Sequence, residues 1–304
     1  MSHDESTSQT LGTAIVLALS QGLPPFIGHP VAAAISYVLG NRTFSRTFRA
    51  ISLNQWVAHD GKLTARELRR AIRKVYQHQG RALYDFYHNL DRPHEIQKMV
   101  RLNPSFEKMM QECMSENQKQ GTLMLMPHLS GFNPCGLYMT QLGFKFLTLS
   151  LPDPNLAYSW ENEIRNKRGM EVMPMTMEAM QLARQRLQNG GTVLTGVDRP
   201  SEPSNYHPKF FGREASLPVA YIKLALKTGA RVFGIGFHTM KDHTCVVDAS
   251  PQIEMDHLAD PHEELIHNAE KVLKVIEGFI RQDPSQWMMF LPVWPEARNE
   301  IPVI

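Results

Sequence analysis

From about Gly121 onward, short apolar runs alternate with amphipathic stretches of helical period. This alternation is typical of strands joined by helical crossovers, and it predicts an α/β fold. The predicted strands cover residues 122–126, 145–149, 192–197, 232–237, 244–247 and 287–291. The predicted helices cover residues 178–187, 217–227 and 263–280. We therefore expect a single domain with a central mixed, largely parallel sheet flanked by helices.

Three parts are expected along the 304-residue chain. Residues 1–10 are polar and partly acidic, which predicts a disordered tail rather than a secretory signal peptide. Residues 11–110 form an N-terminal helical region packed on the core, and residues 111–304 form the α/β core. Residues 11–39 are mostly apolar, but their uninterrupted runs are shorter than the roughly 20 residues that span a bilayer. We expect a helical hairpin that packs on the domain or lies in the membrane interface. The runs are interrupted by Gly22, Pro24, Pro25, Gly28 and Pro30.

A basic segment follows the apolar one. Thr64 and Glu67 have the spacing of a capping box, so a helix should begin there. The segment can face nucleic acid, an anionic lipid surface or only solvent. No nucleic-acid-binding motif accompanies it, so we expect no nucleic-acid partner. Its positive side chains are Arg42, Arg46, Arg49, Lys62, Arg66, Arg69, Arg70, Arg73 and Lys74, against only Asp60 and Glu67.

The composition excludes several classes of protein. With 42% apolar and 20% charged residues, the chain is neither disordered throughout nor a multi-span membrane protein. Three scattered cysteines cannot form a disulfide framework. The 13 histidines have no metal-ligand spacing, so no metal is expected. An α/β-hydrolase is disfavoured because a G-x-S-x-G segment is missing.

Polar residues follow two of the predicted strands. His128 comes directly after one strand and before a probable helix start, and Asp198 and Arg199 follow another. Ligands of open α/β sheets bind at such strand ends. A single histidine there is more often a hydrogen-bonded structural residue, but the two strand ends together favour a site. Ser130 and Gly131 are expected to offer the first free amides of the following helix to an anion or a developing oxyanion.

The segment His128-Leu-Ser-Gly-Phe-Asn133 resembles the H-x4-D/E motif of the lysophospholipid acyltransferase superfamily. The form is that of the late lipid A (lauroyl/myristoyl) acyltransferases and the related mycobacterial mannoside acyltransferases. Further landmarks of that branch recur in order over nearly the whole chain, whereas the F-P-E-G-T-R block of the glycerol-phosphate branch is absent. These landmarks are residues 165–169, Asp198, residues 208–212, 225–230 and 286–291, and Pro295-Glu296.

This resemblance implies an acyltransferase in which His128 is the general base. The acyl chain would pass from acyl-carrier protein or acyl-CoA to a hydroxyl or amine of a polar lipid or glycolipid, with no cofactor. It also implies a peripheral or monotopic protein on the cytoplasmic face of the inner membrane. On the same grounds we expect Arg165 and Arg199 to hold a phosphate or sugar-phosphate, and Phe210 and Phe211 to line an acyl channel. Arg69, Arg70 and Arg73 are expected to bind the membrane or an acidic carrier protein, unless they are ordinary surface charges.

The chain departs from the motif at Asn133, where the family has an acidic residue that orients the histidine. An amide carries no charge to stabilise an imidazolium. Three outcomes are open. Asp198, or less readily Glu161 or Glu163, supplies the carboxylate; or Asn133 suffices for a slow transfer; or the protein is a catalytically silent lipid-binding relative. We favour Asp198.

Overall fold

Seven strands form one mixed sheet in the computed structural model of the protein, which describes residues 20–115, 117–154, 156–201 and 204–303. Their order across the sheet is β1-β9-β8-β2-β5-β3-β4. A hairpin of two short strands, β6 and β7, lies apart from it. The bounds are β1 Val100–Leu102, β2 Thr122–Met126, β3 Phe146–Ser150, β4 Glu171–Pro174, β5 Thr192–Gly196, β6 Lys209–Phe210, β7 Arg213–Glu214, β8 Arg231–Thr239 and β9 Cys245–Ala249.

Within the seven-stranded sheet, every pairing is parallel except that of β8 with β9. Every residue of β2 is buried, as expected for a central strand covered by helices on both faces. The strands β2, β5, β3 and β4 are successive neighbours, so their carboxyl ends lie along one edge. That edge carries the candidate site.

Ten helices and two short 3₁₀ segments that lie wholly within the described part of the chain surround the sheet. The longest is α3, which begins with the expected capping box: the Thr64 hydroxyl accepts a bond from the amide of Glu67, and Glu67 accepts one from the amide of Thr64. The bounds are α1 Pro25–Leu39, α2 Arg46–Ala58, α3 Ala65–Asn89, α4 Pro93–Met99, α5 Pro104–Met114, α6 Phe132–Gln141, α7 Leu156–Lys167, α8 Met177–Gln188, α9 Ala220–Thr228 and α10 Pro261–Gln282, with 3₁₀ segments Pro284–Gln286 and Pro295–Glu300.

Five of the six predicted strands and all three predicted helices of the core are confirmed to within three residues at each end. The strand predicted over residues 287–291 is wrong. These residues belong to no strand of the described sheets, and Trp287 makes only an isolated bridge with Leu129. Its alternating burial has another cause: Trp287 and Met289 point into the core, whereas Met288 and Phe290 border a cavity. The strands that the sequence missed, β1, β4, β6 and β7, have two to four residues each and are too short to show a period.

Helix α1 packs along α3 through small residues. A Cβ at Gly28 would lie 2.0 Å from the Tyr84 ring, and one at Gly80 would lie 2.2 Å from the Ser36 hydroxyl. A larger residue at either position would have to displace the Tyr84 ring or the Ser36 hydroxyl, so the close approach of the two helices favours glycine at both. Residues 1–19, which include the predicted tail and the first part of the predicted hairpin, lie outside the described residues. In the part of the chain that is described, no helix combines the length and apolarity needed to cross a bilayer.

Candidate active site

His128 and Asp198 meet at the carboxyl edge of the sheet. Met126 at the end of β2 is in register with Gly196 at the end of β5, so the residues two places beyond each strand lie side by side. The Nδ1 atom of His128 lies 2.6 Å from Oδ1 of Asp198, and the backbone amide of His128 donates to Oδ2 at 2.9 Å. Asp198 is fully buried, whereas 29% of the His128 side chain is exposed. The pair is therefore closed to solvent at Asp198, which we call its closed end, and open to solvent at His128.

The electrostatics of the pair favour an ionised carboxylate. Burial raises the pKa of Asp198, but the attraction of His128 and the hydrogen bonds from its ring, its amide and the Trp287 indole outweigh burial and leave the pKa below its usual range. Since a carboxylate only accepts hydrogen bonds, Nδ1 of His128 carries the proton in this contact. The other ring nitrogen, Nε2, is then free to act as a base.

Gly196 lies directly against the His128 ring. A Cβ at this position would lie 2.5 Å from Cε1 of the imidazole and 3.1 Å from Nε2. Gly196 was not among the predicted site residues, although glycine in a strand often marks the close approach of another group.

We expect Gly196→Ala to lower kcat about 100-fold, because a misplacement of about 1 Å at a reacting group has that cost. The control is Gly278→Ala, which adds the same methyl group in α10, where the new carbon has no atom within 4 Å apart from the neighbouring backbone of its own helix. Steady-state kinetics of both variants, with thermal melting to check the fold, make the comparison. A Gly196→Ala enzyme with unchanged kcat would contradict a requirement for the observed ring position.

A cavity of about 600 Å³ opens beside His128 and runs along the carboxyl ends of β2, β5, β3 and β4. Its far side is formed by α3 and by the segment after Trp287. The apolar part of the lining includes Leu83, Met126, Phe132, Leu149, Val172, Met175, Met288 and Phe290. The polar part includes Gln79, Asn133, Thr148, Ser150, Tyr158, Glu161, Asn162, Arg165 and Arg199.

Asn133 borders the cavity but is bonded to an arginine. Its Oδ1 accepts from Nε of Arg165 at 3.0 Å. Glu161 is also bonded to Arg165, and Glu163 is exposed and outside the cavity lining. Of the three candidate carboxylates, Asp198 is the one in contact with His128.

The two arginines expected to bind substrate have different surroundings. Arg165 is 5% exposed, and its guanidinium donates to Asn133, Asn162 and Glu161. Most of its donors are thus used within the protein. Arg199 is half-buried in the cavity wall, and no described residue forms a hydrogen bond or ion pair with its side chain.

The prediction that the backbone amides of Ser130 and Gly131 are free to bind an anion is wrong. The amide of Ser130 donates to the Gln286 carbonyl at 3.1 Å, and the amide of Gly131 donates to the Phe237 carbonyl at 3.3 Å. A Cβ at Gly131 would lie 2.9 Å from that same oxygen. The turn after β2 is pressed against β8 and the Gln286 segment, so neither amide faces the cavity for an anion.

Phe210 and Phe211 also differ from expectation. Both are buried in an aromatic cluster with Trp287 and Trp294, with ring centroids 4.8–6.1 Å apart. Neither borders the cavity beside His128, so they do not line an acyl channel there. Adjacent aromatics that pack on two tryptophans contribute to the core instead.

The described residues include no group of three or more His, Cys, Asp or Glu side chains arranged to hold a metal ion. The site consists of a histidine, a buried carboxylate and a partly apolar cavity. A sequence model of the bacterial lipid A biosynthesis acyltransferases matches residues 7–296. The chain belongs to this family.

Two similar proteins come from mycobacteria. The chain is 26% identical over 120 residues to a phosphatidylinositol mannoside acyltransferase of Mycolicibacterium smegmatis, covering 38% of this chain and 40% of that protein. It is 24% identical over 190 residues to a phosphatidylinositol mannoside acyltransferase of Mycobacterium tuberculosis, covering 57% of this chain and 54% of that protein. The matches thus span about half the length of these relatives, or less.

Proposed function

We propose that this member of the lipid A acyltransferase family transfers a fatty acyl group from a thioester donor, acyl-carrier protein or acyl-CoA, to a hydroxyl or amine of a polar lipid or glycolipid. The observation that carries the proposal is the contact between His128 and Asp198 at the edge of a partly apolar cavity. Membership of the family supports acyl transfer to a lipid.

In this mechanism Nε2 of His128 removes the proton from the acceptor hydroxyl or amine as its oxygen or nitrogen attacks the thioester carbonyl. A tetrahedral intermediate forms and collapses, the carbon–sulfur bond breaks, and the leaving thiolate takes the proton back from the imidazolium. The ester or amide product and the free thiol balance the reaction. Asp198 stays ionised throughout and stabilises the positive ring.

The cavity lining supports a lipid acceptor with a charged or hydroxylated head. Its apolar part suits an alkyl chain, and its polar part suits sugar hydroxyls. Arg199 is the cation that we assign to a phosphate or sugar-phosphate, because its donors are not used by any described side chain. We assign Arg165 a smaller share of this role, since three of its donors already bind Asn133, Asn162 and Glu161. The names of the mycobacterial relatives favour a mannosylated, phosphate-containing lipid as acceptor.

The experiment is a lipidomic comparison of cells with and without the gene, followed by reconstitution of the purified protein with the affected lipid. Each donor, acyl-carrier protein and acyl-CoA, is supplied separately. We expect one acylated species to disappear from the cells and to form again in vitro with one of the donors.

The second candidate function is that of a catalytically silent lipid-binding relative, which Asn133 motivates. An inactive wild-type protein, together with an active Asn133→Asp variant, would establish that second candidate.

We also place the protein on the cytoplasmic surface of the inner membrane, through an apolar face on α1. This face consists of exposed side chains that make no core: Phe26, Ile27, Ile35, Tyr37, Val38, Leu39 and, just after the helix, Phe44. Exposed arginines and a lysine lie on the neighbouring helices α2 and α3 and the turn before them: Arg42, Arg46, Arg49, Arg66, Arg69, Arg70 and Lys74. Apolar side chains beside positive charges match an anionic lipid interface.

Replacing Phe26, Val38 and Phe44 together by serine should weaken partitioning onto vesicles with anionic lipid by at least about 100-fold, because each large apolar side chain contributes about 1.5–3 kcal/mol when buried. Co-sedimentation with phosphatidylglycerol-containing vesicles measures the effect. The control replaces Leu142 and Leu258, which are exposed elsewhere, by serine. Equal binding by both variants would exclude the α1 face as the docking surface.

A further inference from the structure

The closed end of the His128–Asp198 pair is completed by Trp287. Its indole Nε1 donates to Oδ2 of Asp198 at 2.6 Å, and that oxygen also accepts from the backbone amide of His128. The other oxygen, Oδ1, accepts from the His128 ring. Three N–H groups thus surround a carboxylate that has no contact with solvent.

Trp287 is itself fixed on two sides. Its ring is buried against Phe210, Phe211 and Trp294. Its backbone runs beside the turn that carries His128: the Gln286 carbonyl accepts from Ser130, and the amide of Met288 donates to the His128 carbonyl at 2.7 Å. Trp287 is therefore held in place relative to both His128 and Asp198.

We propose that Trp287 is a positioning residue that holds the Asp198 carboxylate in the orientation in which Oδ1 accepts the Nδ1 proton of His128. This inference rests on the proposed function. Without the indole N–H, the Asp198 carboxylate keeps only the two hydrogen bonds from His128. Its rotation is then restrained by His128, which is the residue that Asp198 has to orient.

Loss of the indole bond has a second consequence, on the acid limb of the rate profile. The Trp287 bond is one of the causes that keep the pKa of Asp198 below its usual range. A carboxylate with one donor fewer binds protons more tightly and attracts the imidazolium more strongly, so the pair takes up a proton at higher pH. A further titratable group that interacts with Asp198 is Tyr221 on α9. Burial and the charge of Asp198 raise the pKa of its phenol, so it stays neutral across the working range.

The test is Trp287→Phe, which removes the N–H and keeps an aromatic ring. We expect kcat to fall about 10-fold to 100-fold, as for loss of a hydrogen bond to a charged group. The KM for the acyl donor should stay within about 2-fold, because the indole does not border the cavity. The acid limb of the kcat–pH profile should move to higher pH.

The matched control is Trp294→Phe. Trp294 is fully buried in the same aromatic cluster, but its Nε1 has no hydrogen-bond partner among the described residues. This variant should keep the kcat and the pH profile of the wild type. If both variants lose rate equally, or if Trp287→Phe keeps the wild-type kcat and acid limb, Trp287 only packs and the inference is wrong.

A second variant covers the case in which Trp287→Phe does not fold. Benzothienylalanine at position 287 keeps the bicyclic shape and replaces the N–H by sulfur, and the same losses are expected. The result is separable from failure of the proposed function. If His128→Ala transfers acyl groups at the wild-type rate, the proposed mechanism fails; if only the position 287 variants behave as wild type, this inference alone fails.

Discussion

His128→Ala should lower kcat for acyl transfer by about 10³-fold to 10⁴-fold, which is the upper part of the range for loss of a general base. The imidazole is the one titratable group of the pair that borders the cavity, since Asp198 is fully buried beneath it. The acceptor would then have to lose its proton to water. Binding of the acyl donor should change much less, because the ring forms only a small part of the cavity wall.

Single-turnover rates, together with donor affinities measured by calorimetry, separate these two effects. His94→Ala serves as control, because His94 is exposed on α4 and lies outside the cavity lining. Wild-type rates from the His128→Ala protein would remove the basis for the proposed reaction, whichever donor is used.

Asp198→Asn should lower kcat by about 10⁴-fold, as the corresponding change does in serine proteases. The reason lies in the three N–H groups that point at the carboxylate. An amide has one accepting oxygen and one donating nitrogen. If the nitrogen takes the place of Oδ1, Nδ1 of His128 has to accept, and Nε2 then carries the proton and cannot act as a base. If it takes the place of Oδ2, it faces two other donors.

For Asp198→Asn the decisive comparison is between kcat and the dissociation constant of the donor. We expect kcat to fall far more than donor binding does. A parallel loss of both would mean that Asp198 holds the structure or the substrate. Asp242→Asn provides the control, because Asp242 is exposed in the turn between β8 and β9 and its bond to the Thr244 amide survives the change.

The fold was predictable from the sequence wherever a hydrophobic pattern extends over enough residues to be recognised. The strands β2, β5 and β8 and the amphipathic face of α10 each extend over five residues or more, and each appears close to the expected bounds. By contrast, β4 has four residues, ends in Pro174 and shows no alternation. Residues 287–291 show the opposite error, since a strand was predicted there and is not formed. Their burial alternates because they lie between the core and the cavity, not because they pair in a sheet.

The candidate site was predictable only where a residue type and a strand end coincide. His128 and Asp198 each follow a strand and are in contact, and the role of Asp198 in place of the acid missing at Asn133 stays a prediction. That β2 and β5 are neighbours cannot be read from chain order, since β3 and β4 lie between them in sequence. The amides of Ser130 and Gly131 were misjudged for a similar reason: their partners, Gln286 and Phe237, are more than 100 residues away.

Helix α3 forms part of two surfaces at once. Gly80 packs against α1. Gln79 and Leu83, on an adjacent side of the same helical turn, border the cavity beside His128. Positions 80 and 83 are only about 4.5 Å apart along the helix axis. A displacement of α3 itself would therefore change both its contact with α1 and one wall of the cavity, because a single turn of backbone contributes to both.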